Sequence, residues 1–141
     1  MHFIHDIRAS SENERQATSE AARAILAVLG TIPEDRLKQE IPAMAPRGLA
    51  VRYEDLPVTT AIHYAAKWAS KNHMLSAAGD LLLAWLRYYD DTSIMHRIHA
   101  RNGAIGGRYF PKLDPMDAIR TLLTSLIHLP PEDVAPAAKA A

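Results

Sequence analysis

Apolar residues recur at helical spacing along most of the chain, and this pattern predicts an all-α fold. Runs in which every third or fourth residue is apolar are separated by glycines, prolines and helix-capping residues. These signals delimit six predicted helices, which lie between residues 11 and 30, 31 and 41, 55 and 72, 75 and 91, 91 and 102, and 114 and 130. We therefore expect a single compact bundle of five to six helices in residues 1–130, followed by a frayed tail in residues 131–141.

Residues with side chains that accept hydrogen bonds mark the predicted helix starts. These starts are Ser11 with Glu14 at capping-box spacing, Thr31 before Pro33, Asp55 before Pro57, and Asp114 before Pro115. The fourth helix differs from the others because residues 81–86 are apolar on nearly every side. We expect other helices to surround it.

The stretch between the second and third helices interrupts the helical pattern. Its prolines and Gly48 prevent a long helix, and apolar residues alternate with their neighbours near Val51, as they do in a short strand. Three short runs of this kind could pair as a small sheet: residues 3–7, 49–53 and 105–110. A minor short β element is therefore the alternative to a purely helical bundle.

The composition excludes several classes of protein. The 141 residues include no cysteine, which excludes disulfide frameworks, thiolate zinc sites and cysteine nucleophiles. Sixteen Lys and Arg balance sixteen Asp and Glu, so that no global field draws the protein to nucleic acid or to a membrane. The first residues lack the pattern of a secretory signal, and no apolar run is long enough to span a bilayer. We expect a cytoplasmic protein with no membrane partner.

One stretch, residues 92–113, departs from this balance of charge, and we call it the basic segment. It contains four cationic residues, Arg97, Arg101, Arg108 and Lys112, and no acidic residue. Arg97 and Arg101 lie four positions apart and would share one face of the predicted fifth helix. Any attraction to an anionic partner is therefore expected to be local to this segment.

The chemistry of the basic segment suits an anion. Glycines after the predicted fifth helix let backbone N–H groups approach a ligand closely, arginine supplies a fork of donors, and Tyr109 offers a stacking surface. The candidate ligand-binding residues are Arg97, Arg101, Asn102, Arg108, Tyr109 and Lys112. The predicted partner is nucleic acid or an acidic protein surface. In the alternative interpretation, the glycines only turn the chain and the arginines form a solvated face.

Two further classes of function stay open at this point. Trp68, Trp85, Tyr88 and Tyr89 could anchor a homodimer if they were exposed. Alternatively, the protein could be a histidine-dependent metalloenzyme: two histidine pairs at a spacing of three, His2 with His5 and His96 with His99, could hold a metal ion if another element supplied a third ligand. The sequence shows no such ligand and no nucleophile motif, so that we predict no catalytic residue, no metal ligand and no cofactor.

Overall fold

The protein folds as an all-α bundle. A computed structural model describes residues 4–72, 75–88, 94–95, 97–98 and 114–128. Five α-helices have both ends in these residues: α1 (Ile4–Leu29), α2 (Glu34–Glu40), α3 (Val58–Lys71), α4 (Ser76–Tyr88) and α5 (Pro115–Ile127). Two 3₁₀ turns, Pro42–Met44 and Tyr53–Asp55, lie between α2 and α3, and the described residues include no strand.

Part of the predicted fifth helix is also present. Ile94, Met95, Arg97 and Ile98 have helical backbone. The predicted caps at residues 91–92 and the glycine cluster after residue 102 lie outside the described residues. The predicted tail, residues 131–141, lies outside them as well.

The core forms where α1 and α3 each pack against both α4 and α5. Apolar side chains at helical spacing supply it, because burying one face of each helix removes apolar surface from water. The largest side chains that are fully buried are Ile25, Leu29, Leu37, Ile41, Ile62, Ile94, Ile98, Met116, Ile119, Leu122, Leu123 and Leu126. Within the described residues, no helix has the length and hydrophobicity needed to cross a bilayer.

Helix α5 corresponds to the sixth helix predicted from the sequence, and it begins where that prediction placed its start. Asp114 is its N-cap, with an extended backbone, and its carboxylate accepts hydrogen bonds from the backbone N–H groups of Met116 and Asp117. Pro115 occupies the first turn, where its missing N–H leaves no intrahelical bond unmade. Seven of the thirteen residues of α5 are buried, which places its broad apolar face against the core.

The prediction for the start of the first helix was wrong. Helix α1 begins at Ile4, so that Ser11 and Glu14 lie inside the helix and form no capping box at its end. The residues before Ser11 contain neither proline nor glycine, and extending an existing helix costs much less than starting one. Residues 4–7 are therefore helical, and the strand predicted for residues 3–7 is wrong wherever the structure describes it.

The prediction of a strand at residues 49–53 was also wrong. These residues follow a turn at Pro46–Leu49 in which Gly48 has a φ of 88°, and Tyr53 then enters a 3₁₀ turn. The described residues offer no neighbouring strand, so that the extended backbone before Tyr53 has nothing with which to form a ladder. The third run, residues 105–110, lies outside the described residues.

Two predicted caps have other roles. The hydroxyl of Thr31 donates to the carbonyl oxygen of Val28 at 2.8 Å, so that Thr31 completes the end of α1 and does not cap α2. Asp55 belongs to the 3₁₀ turn before α3. Both α2 and α3 instead have a proline, Pro33 and Pro57, as N-cap, and neither cap makes a side-chain hydrogen bond.

Helix α4 buries the side chains of its apolar run, residues 81–86, to different depths. Leu82, Trp85 and Leu86 are buried, but Leu81 and Leu83 are only half-buried. Exposed residues at its start, such as Ala77 and Asp80, show that one side faces solvent. The apolar run at residues 81–86 packs against α1 and α3, and Trp85 also contacts Arg97.

Candidate anion-binding surface

The described residues of the basic segment, 94–95 and 97–98, pack on the core. The side chains of Ile94 and Ile98 are 1% and 0% exposed, so that this turn of helix is held by burial. Arg97 lies between them in sequence and is half-buried. Its guanidinium carbon lies 5.5 Å from the centroid of the Trp85 ring, within the range of a cation–π contact. The core therefore fixes the position of the first cation of the segment.

Arg97 is the one predicted ligand residue that the structure places. The other five, Arg101, Asn102, Arg108, Tyr109 and Lys112, lie outside the described residues. The predicted grouping of these side chains stays a prediction. What the structure adds is the position of residues 94–95 and 97–98 within the basic segment and of Asp114, which directly follows it.

The C-terminal end of the basic segment meets a hydrogen-bonded junction. The Tyr53 hydroxyl donates to Asp114 Oδ2 at 2.7 Å and accepts from the backbone N–H of Met116 at 2.9 Å. The same Met116 N–H and the N–H of Asp117 also donate to Asp114 Oδ2, at 3.1 and 3.3 Å. Tyr53 and the cap of α5 thus form a closed set of bonds.

Helix α2 supports this junction from the other side. The Lys38 ammonium lies 5.2 Å from the centroid of the Tyr53 ring, and an arginine on α5, Arg120, pairs with Glu34 at 2.6 Å. Burial, together with the hydrogen bond to Asp114, raises the pKa of Tyr53 well above its ordinary value of 10. Its hydroxyl therefore keeps its proton, and with it the ability to donate, at neutral pH.

An open cleft of about 730 Å³ adjoins the junction. Its lining residues are Asp35, Lys38, Gln39, Arg52, Tyr53, Glu54 and Asp114. The lining residues include charges of both signs, and Arg52 pairs with Glu54 at 2.5 Å. The cleft therefore lacks the single sign of charge that would concentrate an anion or a cation.

Three glutamates on and after α2 have an arginine partner close by. Glu40 pairs with Arg36 at 2.5 Å, and Glu34 and Glu54 pair with Arg120 and Arg52. None of these arginines belongs to the basic segment. These three ion pairs balance charge around α2 and its neighbours.

Two of the four aromatic residues proposed as homodimer anchors belong to the core of the bundle. Trp68 and Trp85 are only 7% and 4% exposed, and the Trp68 indole N–H donates to Glu40 Oε1 at 2.9 Å. These two side chains therefore pack inside the bundle and are not available as interface anchors. The homodimer would have to use Tyr88 and Tyr89, whose side chains lie outside the described part, and it stays a prediction.

The histidine hypothesis has no support within the described residues, where no group of three potential metal ligands converges. The structure does not describe the side chains of His2, His5, His96 and His99. The two histidine pairs therefore stay untested.

Tyr53 is the residue that the sequence analysis missed. Its partners Asp114 and Met116 lie 61 and 63 positions along the chain, so that no local spacing links them. Asp114 carried a signal as a helix cap, and Tyr53 carried only the alternating pattern that suggested a strand.

Comparisons with protein-family models, with curated proteins and with solved structures find no match to this chain.

Proposed function

We propose that this protein is a small helical binding or regulatory protein, and that the basic segment contacts an anionic partner. The observation that carries the proposal is the fixed start of the segment, where Arg97 lies over Trp85 between two buried isoleucines. Three more cations follow Arg97 within residues 92–113, and this stretch contains no acidic residue. A cation held on a rigid element loses less conformational entropy when a partner binds.

Single-stranded nucleic acid is the partner that the residue types favour. Arginine donates in a planar fork that matches phosphate oxygens, and Tyr109 next to Arg108 offers a ring on which a base can stack. An acidic protein surface supplies negative charge but no bases. We expect contacts to the phosphate backbone with little reading of sequence, and we place this role in the cytoplasm, which suits a chain without cysteine.

The experiment is a titration of a labelled single-stranded oligonucleotide, with the salt concentration varied between about 50 and about 200 mM. Each phosphate contact contributes about −0.7 to the slope of log affinity against log salt concentration on a single strand. The variant Arg101→Gln/Arg108→Gln should lower the affinity and reduce the magnitude of the slope by about 1.4. Both substitutions lie on the segment and remove no described contact.

The matched control removes the same charge elsewhere. Arg23 and Arg87 are exposed on α1 and α4, so that Arg23→Gln/Arg87→Gln changes the net charge equally and should leave the slope unchanged. Equal effects of the two double variants would contradict the proposal, because the attraction would then be a property of the whole surface. Binding of a polyglutamate peptide but not of the oligonucleotide would assign the segment to an acidic protein instead.

A further inference from the structure

The open cleft beside α2 takes no part in the proposed function. Its volume of about 730 Å³ lies within the range of about 300–1,000 Å³ that is usual for small-molecule sites. Its lining residues come from α2, from Arg52 and the 3₁₀ turn Tyr53–Asp55, and from the N-cap of α5. What this cleft can bind depends on which of its polar side chains already have a partner.

Four of the lining side chains are bonded to one another in two pairs. Arg52 Nε donates to Glu54 Oε1 at 2.8 Å, and the Tyr53 hydroxyl donates to Asp114 Oδ2 at 2.7 Å. The Asp114 carboxylate accepts two backbone N–H groups of α5 as well. A ligand would have to compete with these bonds in order to use any of the four side chains.

The other three lining side chains are those of α2: Asp35, Lys38 and Gln39. Within the described part of the chain, none of them forms an ion pair or a hydrogen bond through its side chain. They occupy positions i, i+3 and i+4, which share one side of a helix. The Lys38 ammonium lies 5.2 Å from the centroid of the Tyr53 ring, which places it at the cleft. The cleft thus presents a carboxylate, an ammonium and an amide to a ligand.

We propose that this cleft binds a short peptide as a zwitterion, with its carboxylate on Lys38 and its ammonium on Asp35. An ion of one sign would gain one of these contacts and meet a like charge at the other, whereas a zwitterion satisfies both. The Gln39 amide both donates and accepts, as a peptide group does. The volume of the cleft favours a peptide of two or three residues over a single amino acid. This inference does not depend on the basic segment.

Triglycine is the probe, because it carries both charged ends and peptide groups but no side chain. In a titration followed by NMR, it should shift the backbone amides of α2 and the side-chain amide of Gln39. N-acetyl-triglycine lacks the ammonium and triglycine amide lacks the carboxylate. We expect each blocked peptide to bind about fivefold more weakly than triglycine, which is the upper range for one ion pair at an exposed site.

Two charge-removing variants should separate the two ends of the peptide. Asp35→Asn should weaken triglycine and triglycine amide about fivefold and leave N-acetyl-triglycine unchanged. Lys38→Gln should weaken triglycine and N-acetyl-triglycine and leave triglycine amide unchanged. Glu14→Gln and Lys71→Gln are the matched controls, because they remove the same charges at exposed positions on α1 and α3. Both should bind all three peptides as the wild type does.

Several outcomes would overturn the inference. Triglycine that shifts no amide of α2 would do so, and so would equal affinity of the wild type for the three peptides, because the charged ends would then not be recognised. Glycine that binds as tightly as triglycine would contradict a peptide ligand. If either variant loses its helical circular dichroism, the order of the three peptides on the wild type decides by itself.

Discussion

The guanidinium group of Arg97 rests over the ring of Trp85, with 5.5 Å between the guanidinium carbon and the ring centroid. Trp85 itself is 4% exposed and belongs to the core. Arg97 thus joins two parts of the molecule with different roles, the packed bundle and the basic segment. The contact explains how a cation can begin the segment in a fixed position while Ile94 and Ile98 remain fully buried.

Replacing Arg97 by methionine should therefore destabilise the fold as well as weaken anion binding. Methionine keeps much of the length and apolar stem of arginine but removes the charge above the Trp85 ring. We expect the free energy of unfolding to fall by about 0.5–1 kcal/mol, measured by urea denaturation. Arg87→Met, at an exposed position on α4, is the control and should change it by less than about 0.5 kcal/mol. Equal losses in the two variants would show that the aromatic contact contributes nothing specific.

The helical bundle could be predicted from the sequence because its signals are local. The apolar residues of α5 repeat along one face, and Asp114 and Pro115 mark the start of this helix without reference to the rest of the chain. The errors occurred where local signals compete. Ser11 carries the signature of a cap, but nothing before it stops the helix, and α1 continues back to Ile4.

The sequence predicted the charge of the candidate site but not the contacts that its residues make. Arg97 was identified from the run of cations, but its contact with Trp85 joins two helical segments, and no spacing in the sequence reports it. The bond from Tyr53 to Asp114 spans 61 positions and depends on how the 3₁₀ turn Tyr53–Asp55 meets the start of α5. Such contacts follow from tertiary packing, which a single sequence does not encode in any periodic pattern.

Helices α3 and α4 approach each other closely at Gly79, so that replacing this glycine should destabilise the fold. A Cβ atom at this position would lie 2.4 Å from the backbone nitrogen of Ser70 and 2.7 Å from the carbonyl oxygen of Ala66. Both atoms belong to the backbone of α3, so that the two helices would have to separate. We expect Gly79→Ala to lower the free energy of unfolding by about 1–3 kcal/mol, although alanine favours a helix.

Two other glycines provide graded controls for Gly79. Gly48 has open space around it but a φ of 88°, so that Gly48→Ala should cost about 1–2 kcal/mol through backbone strain alone. Gly30→Ala meets no atom closer than 3.4 Å and should be nearly neutral. Thermal denaturation of the three variants checks this order, and a Gly79→Ala variant as stable as Gly30→Ala would contradict the close approach of α3 and α4.

Glu40 ties α2 to α3 by accepting the indole N–H of Trp68 at 2.9 Å. Glu40→Ala leaves this donor without its acceptor and should cost about 1–3 kcal/mol, whereas Glu40→Gln retains an oxygen acceptor and should cost less. Glu20→Ala is the control, because Glu20 is an exposed helical glutamate with a single long hydrogen bond of 3.4 Å to Gln16. Urea denaturation at neutral pH would measure the three changes.

The same glutamate predicts a dependence on acid. The hydrogen bond from Trp68, with that from Arg36, holds the pKa of Glu40 below its ordinary value of 4.5. The folded state therefore favours the ionised form, and this contribution to stability is present above pH 4.5 and is lost as the pH falls below it. The difference in stability between the wild type and Glu40→Gln should shrink on acidification. A difference that stays constant down to acid unfolding would exclude an ionised Glu40 as the acceptor.

Tyr53 predicts the opposite dependence, at alkaline pH. Burial, and after it the bond to Asp114, raises the pKa of Tyr53 above the ordinary value of 10, so that the folded state favours the neutral phenol. Above pH 10 the tyrosine ionises in the unfolded chain while the folded protein still binds the proton. The contribution of Tyr53 is thus complete below pH 10 and declines above it.

The wild type should accordingly lose stability relative to Tyr53→Phe as the pH rises above 10. Because every other lysine and tyrosine is common to both proteins, the difference between their urea midpoints isolates this one hydroxyl. Tyr64→Phe, measured against the wild type in the same series, shows whether removal of any tyrosine has this effect. If the midpoints of the wild type and Tyr53→Phe keep a constant separation through the alkaline range, the Tyr53 hydroxyl does not hold Asp114 as its neutral donor.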